Sequence, residues 1–348
     1  VGVTTRPPES RREAARALVL AHGWNSVAYQ ILNPGIGHWF SRKGDAVVGY
    51  VSHAGVRVAA GAPVCEAGRL AEVIAEFEAD AAANGQAVCF FCAGERVRAA
   101  LAGDPGHSMM VLGAQPAWRP ADWAGIVAGH PSLRAQLRRA AHKGVAVEEW
   151  PAARAEADAG LRECLSLWLA GRGLPPMGFL VEPWTLDDLA DRRVFVARRC
   201  GETVGFAVAS PVPGRRGWLA EQFVRRPDAP NGTVEAMLDA AVRAVAADGA
   251  GYFTLGLSPL SGHVPGPAVA EAGHPFWLRL LMAWARAHGT RFYNFAGLDT
   301  FKAKFRPREW EPVYAVTNEP AVSLRTCWAI GAAFTRGRPV RSVASALV

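Results

Sequence analysis

Two lysines in the segment FKAKF, Lys302 and Lys304, sit two residues apart in a stretch dense with polar and aromatic side chains. An ammonium group there can hold a phosphate or stabilise an oxyanion that develops during acyl transfer. If residues 298–305 are helical, the two side chains point about 200° apart, so one of them enters a pocket and the other faces elsewhere. Glu221, in LAEQFVRR, falls on an expected strand over 217–224 and is followed closely by Arg225 and Arg226. A carboxylate in that place can take a proton or bind an amine. Asn231 and Gly232 open an expected helix over 233–248, whose free N–H groups suit an anion, while Glu235 in the first turn also suits the helix dipole with no function attached. Asp299 is placed to cap the short helix that carries the lysines. Ser258 and Ser261 flank Pro259 without a G-x-S-x-G elbow, which argues against a serine nucleophile. The nine histidines show no ligand spacing, so no metal is expected.

The elements that must position these residues repeat. Ser10 and Glu13 read as a capping box for a helix ending near Gly23. Three strands follow, over about 37–41, 45–52 and 56–61, then an amphipathic helix over 68–84, a strand over 87–92, a short helix over 95–102 and a strand over 108–113. The second half gives a strand over 145–150, a helix over 154–171, strands over 194–199, 203–210 and 217–224, a helix over 233–248 and a strand over 252–257. A helix over 275–288 and strands over 292–295 and 313–317 complete it. The long helices and the strands after them share one offset of about 165 residues, which argues for a duplicated α/β unit although the halves show no identity. A meander followed by a helix and a further strand is the layout of the acetyltransferase-like (GNAT) fold. The expected architecture is therefore α/β (α+β), with two tandem GNAT-like domains, each a mixed, mainly antiparallel sheet flanked by helices. Residues 1–120 form the first, 121–320 the second and catalytic one, with the junction in the Pro-, Gly- and Trp-rich stretch 114–130. Residues 321–348 are a tail in which Leu324, Trp328 and Phe334 form an apolar stripe among arginines.

The chemistry-bearing stretches are TRFYNFAGLDTFKAKFRPREWEPVYAVT (290–317), DAPNGTVEAML (228–238), FTLGLSPLS (253–261) and the region from HGWNSVAYQIL to GYVSHAGVRVAAGAPVC near the start. Together they resemble the C-terminal synthase domain of the phosphatidylglycerol lysyltransferases, or aminoacyl-phosphatidylglycerol synthases (DUF2156), over nearly the whole chain. The most specific part is FKxKF-x-P-x-W-E-x-x-Y with L-G-x-x-P-L-S upstream. The resemblance implies a C-terminal half that holds the active site, aminoacyl-tRNA as co-substrate, no cofactor, and a hydroxyl acceptor, usually phosphatidylglycerol. It implies catalytic roles for Glu221, Lys302 and Lys304. It also implies a substrate pocket that includes Arg225, Arg226, Asn231, Gly232, Glu235, Ser258, Asn294, Asp299 and Tyr314. Lipid-transferring relatives tend to carry an aspartate closely followed by an arginine where this chain has Glu221. Here the arginine is displaced by one or two residues, and one residue on a strand changes its face.

The formal net charge of +7 suits a polyanion, either RNA or an anionic membrane face, and equally a basic enzyme with neither. Arg134, Arg138, Arg139 and Lys143, on an expected basic helix over 132–144, are the candidate contacts for tRNA phosphates, and no DNA partner is expected. The six cysteines read as reduced thiols, with Cys89 and Cys92 in an apolar strand, and no apolar run reaches the length of a membrane span. The expected location is the cytoplasm, at the periphery of the inner membrane face. Three other readings stay open. One is an aminoacyl-tRNA-dependent transferase with a soluble hydroxyl or hydroxylamine acceptor. Another is a non-catalytic tRNA- or membrane-binding relative. The third is an acyl-CoA acetyltransferase, against which the loop RRPDAPNGT weighs because it lacks the Gly-rich pyrophosphate cradle.

Overall fold

Residues 9–172, 177–264 and 295–337 are described by the computed structural model. The expected helix over 275–288 and Asn294 lie outside them. So does the expected strand over 292–295 except for its last residue, Phe295, which instead begins a helix.

Helix α1 (Glu9–His22) stops before Gly23 and holds Ser10 within its first turn rather than at its cap. Strands β1 (Gly37–Phe40), β2 (Val47–His53) and β3 (Val56–Ala60) make an antiparallel meander. Helix α2 (Leu70–Ala83) then crosses to β4 (Ala87–Ala93), which pairs parallel with β3. Its apolar stripe of Ile74, Phe77 and Ala81 buries against Val88, Phe90 and Tyr314. Each large side chain so buried contributes about 1.5–3 kcal/mol. After α3 (Glu95–Ala100) comes β5 (Ser108–Trp118), five residues longer than expected at its C-terminal end because it acquires partners from the other half of the chain.

The second half follows the same plan. Helices α4 (Trp123–Ala128) and α5 (Pro131–His142) lead to β6 (Val145–Trp150). The single helix expected over 154–171 is two, α6 (Ala152–Ala157) and α7 (Ala159–Ala170). Asp158 between them is extended, and its carboxylate accepts from the Leu161 N–H at 2.8 Å, so it starts a new helix. The meander β7 (Arg193–Arg199), β8 (Glu202–Val212) and β9 (Gly217–Arg225) is followed by α8 (Thr233–Ala247) and β10 (Tyr252–Thr254), parallel to β9. Met237, Leu238, Ala241, Val242 and Val245 are the buried stripe of α8, packed with Phe195 and Phe253. Then come β11 (Ser258–Pro259), α9 (Phe295–Ala303), β12 (Glu309–Thr317) and α10 (Leu324–Phe334).

The order β1-β2-β3-β4-β12-β5-β10-β9-β8-β7-β6 makes one mainly antiparallel sheet with helices packed on it. Strand β5, which closes the first half, pairs with β10 of the second, and β12, which closes the second, pairs with β4 of the first. The two acetyltransferase-like units are thus tied together by exchanged strands. On α10 the face that packs inward is Ala329, Ala332 and Ala333, while Leu324 and Trp328 are 70% and 50% exposed. Of the expected stripe only Phe334 turns in, edge-on to Phe91 and Phe179. Among the described residues no helix is long and apolar enough to cross a membrane.

Candidate active site

Strand β10 ends at Thr254, short of the expected 257, because Gly256 adopts a left-handed conformation (φ +68°) that an extended strand does not allow. The Thr254 hydroxyl fixes the turn: it donates to the Pro116 carbonyl at 2.8 Å and accepts from the Gly256 N–H at 3.0 Å. The carbonyls of Gly256 and Leu257 are thereby released from the ladder. The Lys302 amine takes both, at 2.8 and 2.9 Å, from α9. Lys302 is 4% exposed, and burial pulls its pKa down to about 7 despite the opposing charge of Asp299.

Asp299 lies one turn before Lys302 and so on the same side of α9. The helix already runs from Phe295, so Asp299 is inside it and does not cap it as expected. Its Oδ1 accepts from the hydroxyls of Ser258 and Ser261 at 3.0 and 2.6 Å, which anchors the segment after β10 to the helix. The Nε2 of His263 lies 3.7 Å from the other Asp299 oxygen, and the imidazole stacks on Trp310 with centroids 4.4 Å apart and planes 12° from parallel. Sequence reasoning missed His263. A lone histidine in a loop has no spacing to announce it, and only the fold brings it to Asp299.

Lys304 diverges from Lys302. Its Nζ pairs with Glu235 in the first turn of α8, and its main-chain carbonyl accepts from the His130 Nε2–H at 2.7 Å. Gly232 precedes α8 with φ +96°, and a Cβ there would stand 2.3 Å from the Gln136 carbonyl oxygen of α5. The N-terminus of α8, which the sequence marks as an anion site, is therefore covered by α5 and faced by the Glu235 carboxylate. Neither feature suits a pyrophosphate. Asn231 is exposed beside this turn.

Glu221 is held elsewhere. Its two oxygens accept from Nε and Nη2 of Arg192 at 2.7 and 3.4 Å. Arg192 also donates to the Asp188 carbonyl and the Asn33 side chain, and lies 4.8 Å from the Tyr29 ring centroid. Glu221 thus does not touch either lysine. Arg225 is exposed at the end of β9, and Arg226 pairs with Asp228 and Glu163. Tyr314, expected in the pocket, is a core residue of the first unit, 2% exposed among Phe77 and Phe90. It sits there because β12 crosses over to pair with β4. On α5 Arg138 and Arg139 are exposed, as is Lys143 just past its end, while Arg134 turns Nη1 to the Val127 and Ala128 carbonyls at the end of α4.

The family model described as phosphatidylglycerol lysyltransferase, C-terminal, matches residues 16–317. A phosphatidylglycerol lysyltransferase of Bacillus subtilis (strain 168) is 31% identical over 115 residues, which is 33% of this chain and 12% of that protein, so most of the relative lies outside the match. Among solved structures, the C-terminal domain (DUF2156) of a protein assigned as a lysylphosphatidylglycerol synthetase from Agrobacterium fabrum superposes with a TM-score of 0.78 at 21% identity, covering 96% of this chain and 99% of that one. The L-PGS structure from Bacillus licheniformis gives 0.75 at 20% identity, covering 100% and 98%. At this level of identity the two structures establish the fold.

Proposed function

This chain belongs to the family of phosphatidylglycerol lysyltransferase C-terminal domains, and from that premise we propose that it moves an aminoacyl group from aminoacyl-tRNA to a hydroxyl of phosphatidylglycerol or a similar lipid. The observation that carries this reading is the buried Lys302 amine at the end of β10. A neutral amine has two N–H bonds and one lone pair. The two N–H bonds are taken by the carbonyls of Gly256 and Leu257, which leaves the lone pair as a base near neutral pH. The donor ester is already activated, so no covalent enzyme intermediate is needed. The acceptor oxygen forms the new C–O bond, the ester bond to the tRNA ribose breaks, and Lys302 passes the acceptor proton to the departing ribose oxygen. Asp299, Ser258 and Ser261 position the amine by holding its two carbonyl partners against α9.

An enzyme with a lipid acceptor works at the membrane face, from the cytoplasmic side where aminoacyl-tRNA is found. The exposed Leu324 and Trp328 on α10, next to Arg325, suit contact with an anionic surface. The test is incubation with a panel of radiolabelled aminoacyl-tRNAs, with and without phosphatidylglycerol vesicles, followed by thin-layer separation of the organic phase. Labelled lipid with at least one aminoacyl-tRNA is the expected result. Enzyme-dependent deacylation with no labelled lipid would move the acceptor to a soluble molecule, and no enzyme-dependent deacylation at all would remove the proposal.

A further inference from the structure

A cavity of about 420 Å³ opens at the start of β10, away from Lys302, where Trp118, Arg119, Arg215 and Tyr252 meet Trp24 and Arg308. Gly256 is the fourth residue on from Tyr252, so the cavity lies up to about 13 Å along the chain from the carbonyls that hold Lys302. The transfer mechanism makes no use of it. Its volume is that of a small-molecule site. Four arginines and one carboxylate, Glu309, line it, so it carries a strong positive potential.

The floor is rigid. Arg215 lies 3.5 Å over the Tyr252 ring and makes a two-pronged pair with Glu311. The Tyr252 hydroxyl donates to the same Glu311 carboxylate at 3.0 Å, and Gln115 donates to it at 2.7 Å. Trp118 is fixed by donating to the Phe305 carbonyl at 3.1 Å. The wall carries an indole between guanidinium groups: Trp24 is 38% exposed, with the guanidinium of Arg96 3.4 Å from its ring centroid and that of Arg215 5.4 Å away. At the rim Arg119, Arg216 and Arg308 are exposed, and among the described residues their guanidinium groups make no ion pair or side-chain hydrogen bond. A fixed aromatic and guanidinium plate beside three available cations is what a flat heterocycle joined to a phosphate requires.

We infer that this cavity binds a nucleoside phosphate, its base against Trp24 and the Arg215 plate and its phosphate on Arg119, Arg216 and Arg308. Glu309 offers an acceptor to a ribose hydroxyl or an exocyclic amine. The chemistry is the same for a free nucleotide and for one nucleotide of a single-stranded RNA end, and it stands apart from the transfer reaction.

Calorimetry on the full chain separates these cases, with AMP, inorganic phosphate and the 5′-phosphorylated trinucleotide CCA as probes at low salt. AMP is expected to bind saturably and more tightly than phosphate. Trp24→Ala is expected to weaken AMP about tenfold and leave phosphate unchanged. Arg119→Ala/Arg308→Ala is expected to weaken both by tenfold or more. All three side chains are solvent-exposed, so the variants are expected to keep the parent melting temperature, and the arginine pair decides the question if Trp24→Ala misfolds. A trinucleotide bound ten times more tightly than AMP identifies an RNA end as the source, and equal affinities identify a free nucleotide. The inference is overturned if AMP binds no better than phosphate, if neither AMP nor the trinucleotide gives saturable heat, or if binding ignores both sets of substitutions. None of these readouts involves aminoacyl transfer, so this inference and the transferase reading fail separately.

Discussion

Lys302 carries a cost that pH exposes. Its amine titrates near pH 7 in the folded chain and near 10.5 when exposed. Between those values the unfolded chain binds the extra proton, so stability rises with pH across that window and the penalty is full below pH 7. The expected slope is about 1.4 kcal/mol per pH unit between pH 7.5 and 10. It is read as the difference in unfolding free energy between the parent chain and Lys302→Met, whose own profile should be flatter by that amount. Parallel profiles would show that the amine is protonated in the fold. Glu221 is a different kind of residue. Arg192 is buried against it, so Glu221→Gln leaves a buried cation short of its counter-charge. The variant should lose about 3–5 kcal/mol in a urea titration. A loss under 1 kcal/mol would mean that Asn33 and the Asp188 carbonyl suffice. The pair also marks a limit of reading the sequence. Glu221 was visible as an acidic residue on a strand, but Arg192 comes from a distant loop, and no local pattern joins them. Asp299 was visible too. Its role was misplaced because the described helix already runs from Phe295, which puts Asp299 inside it rather than at a cap.

At the scale of elements, local rules held wherever a stripe or a stop residue was present. The apolar periodicity of α2 and α8 and the glycines after them gave those helices to within two residues. Apart from the strand expected over 292–295, strands were right in position but not in length. Gly256 ends β10 through its backbone conformation, whereas β5 runs on to Trp118 because β10 and β12 pair with it. The first cause is readable in a sequence, and the second is non-local. The contact between α5 and the start of α8 gives a further prediction. Gly232→Ala combines a positive φ with a Cβ 2.3 Å from the Gln136 oxygen. It should lower the unfolding free energy by about 1–3 kcal/mol and shift the denaturant midpoint with no change in slope. An unchanged midpoint would show that α5 moves away freely.

Over the whole molecule the exchange of β5 and β12 decides how the chain folds. The duplication was legible from the equal offset of elements, but the exchange was not, since each half contains enough strands to suggest a sheet of its own. Residues 121–348 expressed alone would lack β5, leaving facing edges of β10 and β12 without their central partner. That fragment should be insoluble or unfolded, and the full chain should unfold in one transition by far-ultraviolet dichroism and tryptophan fluorescence alike. A soluble fragment with a cooperative melt would contradict this. Strand β5 also pairs with β11, so Ser258 is held by a strand of the first unit, and α9 packs on β11 to bring Asp299 and Lys302 to the same place.

The central claim is that the Lys302 amine accepts the proton of the incoming hydroxyl, and the most direct measurement is the single-turnover rate of phosphatidylglycerol aminoacylation as a function of pH for the parent chain and Lys302→Met, with spontaneous ester hydrolysis subtracted. The parent rate should rise to a plateau above about pH 7, and the variant should be slower by a factor of about 10²–10⁴ with that rise gone. A folded Lys302→Met that keeps the parent rate and pH profile would contradict the account.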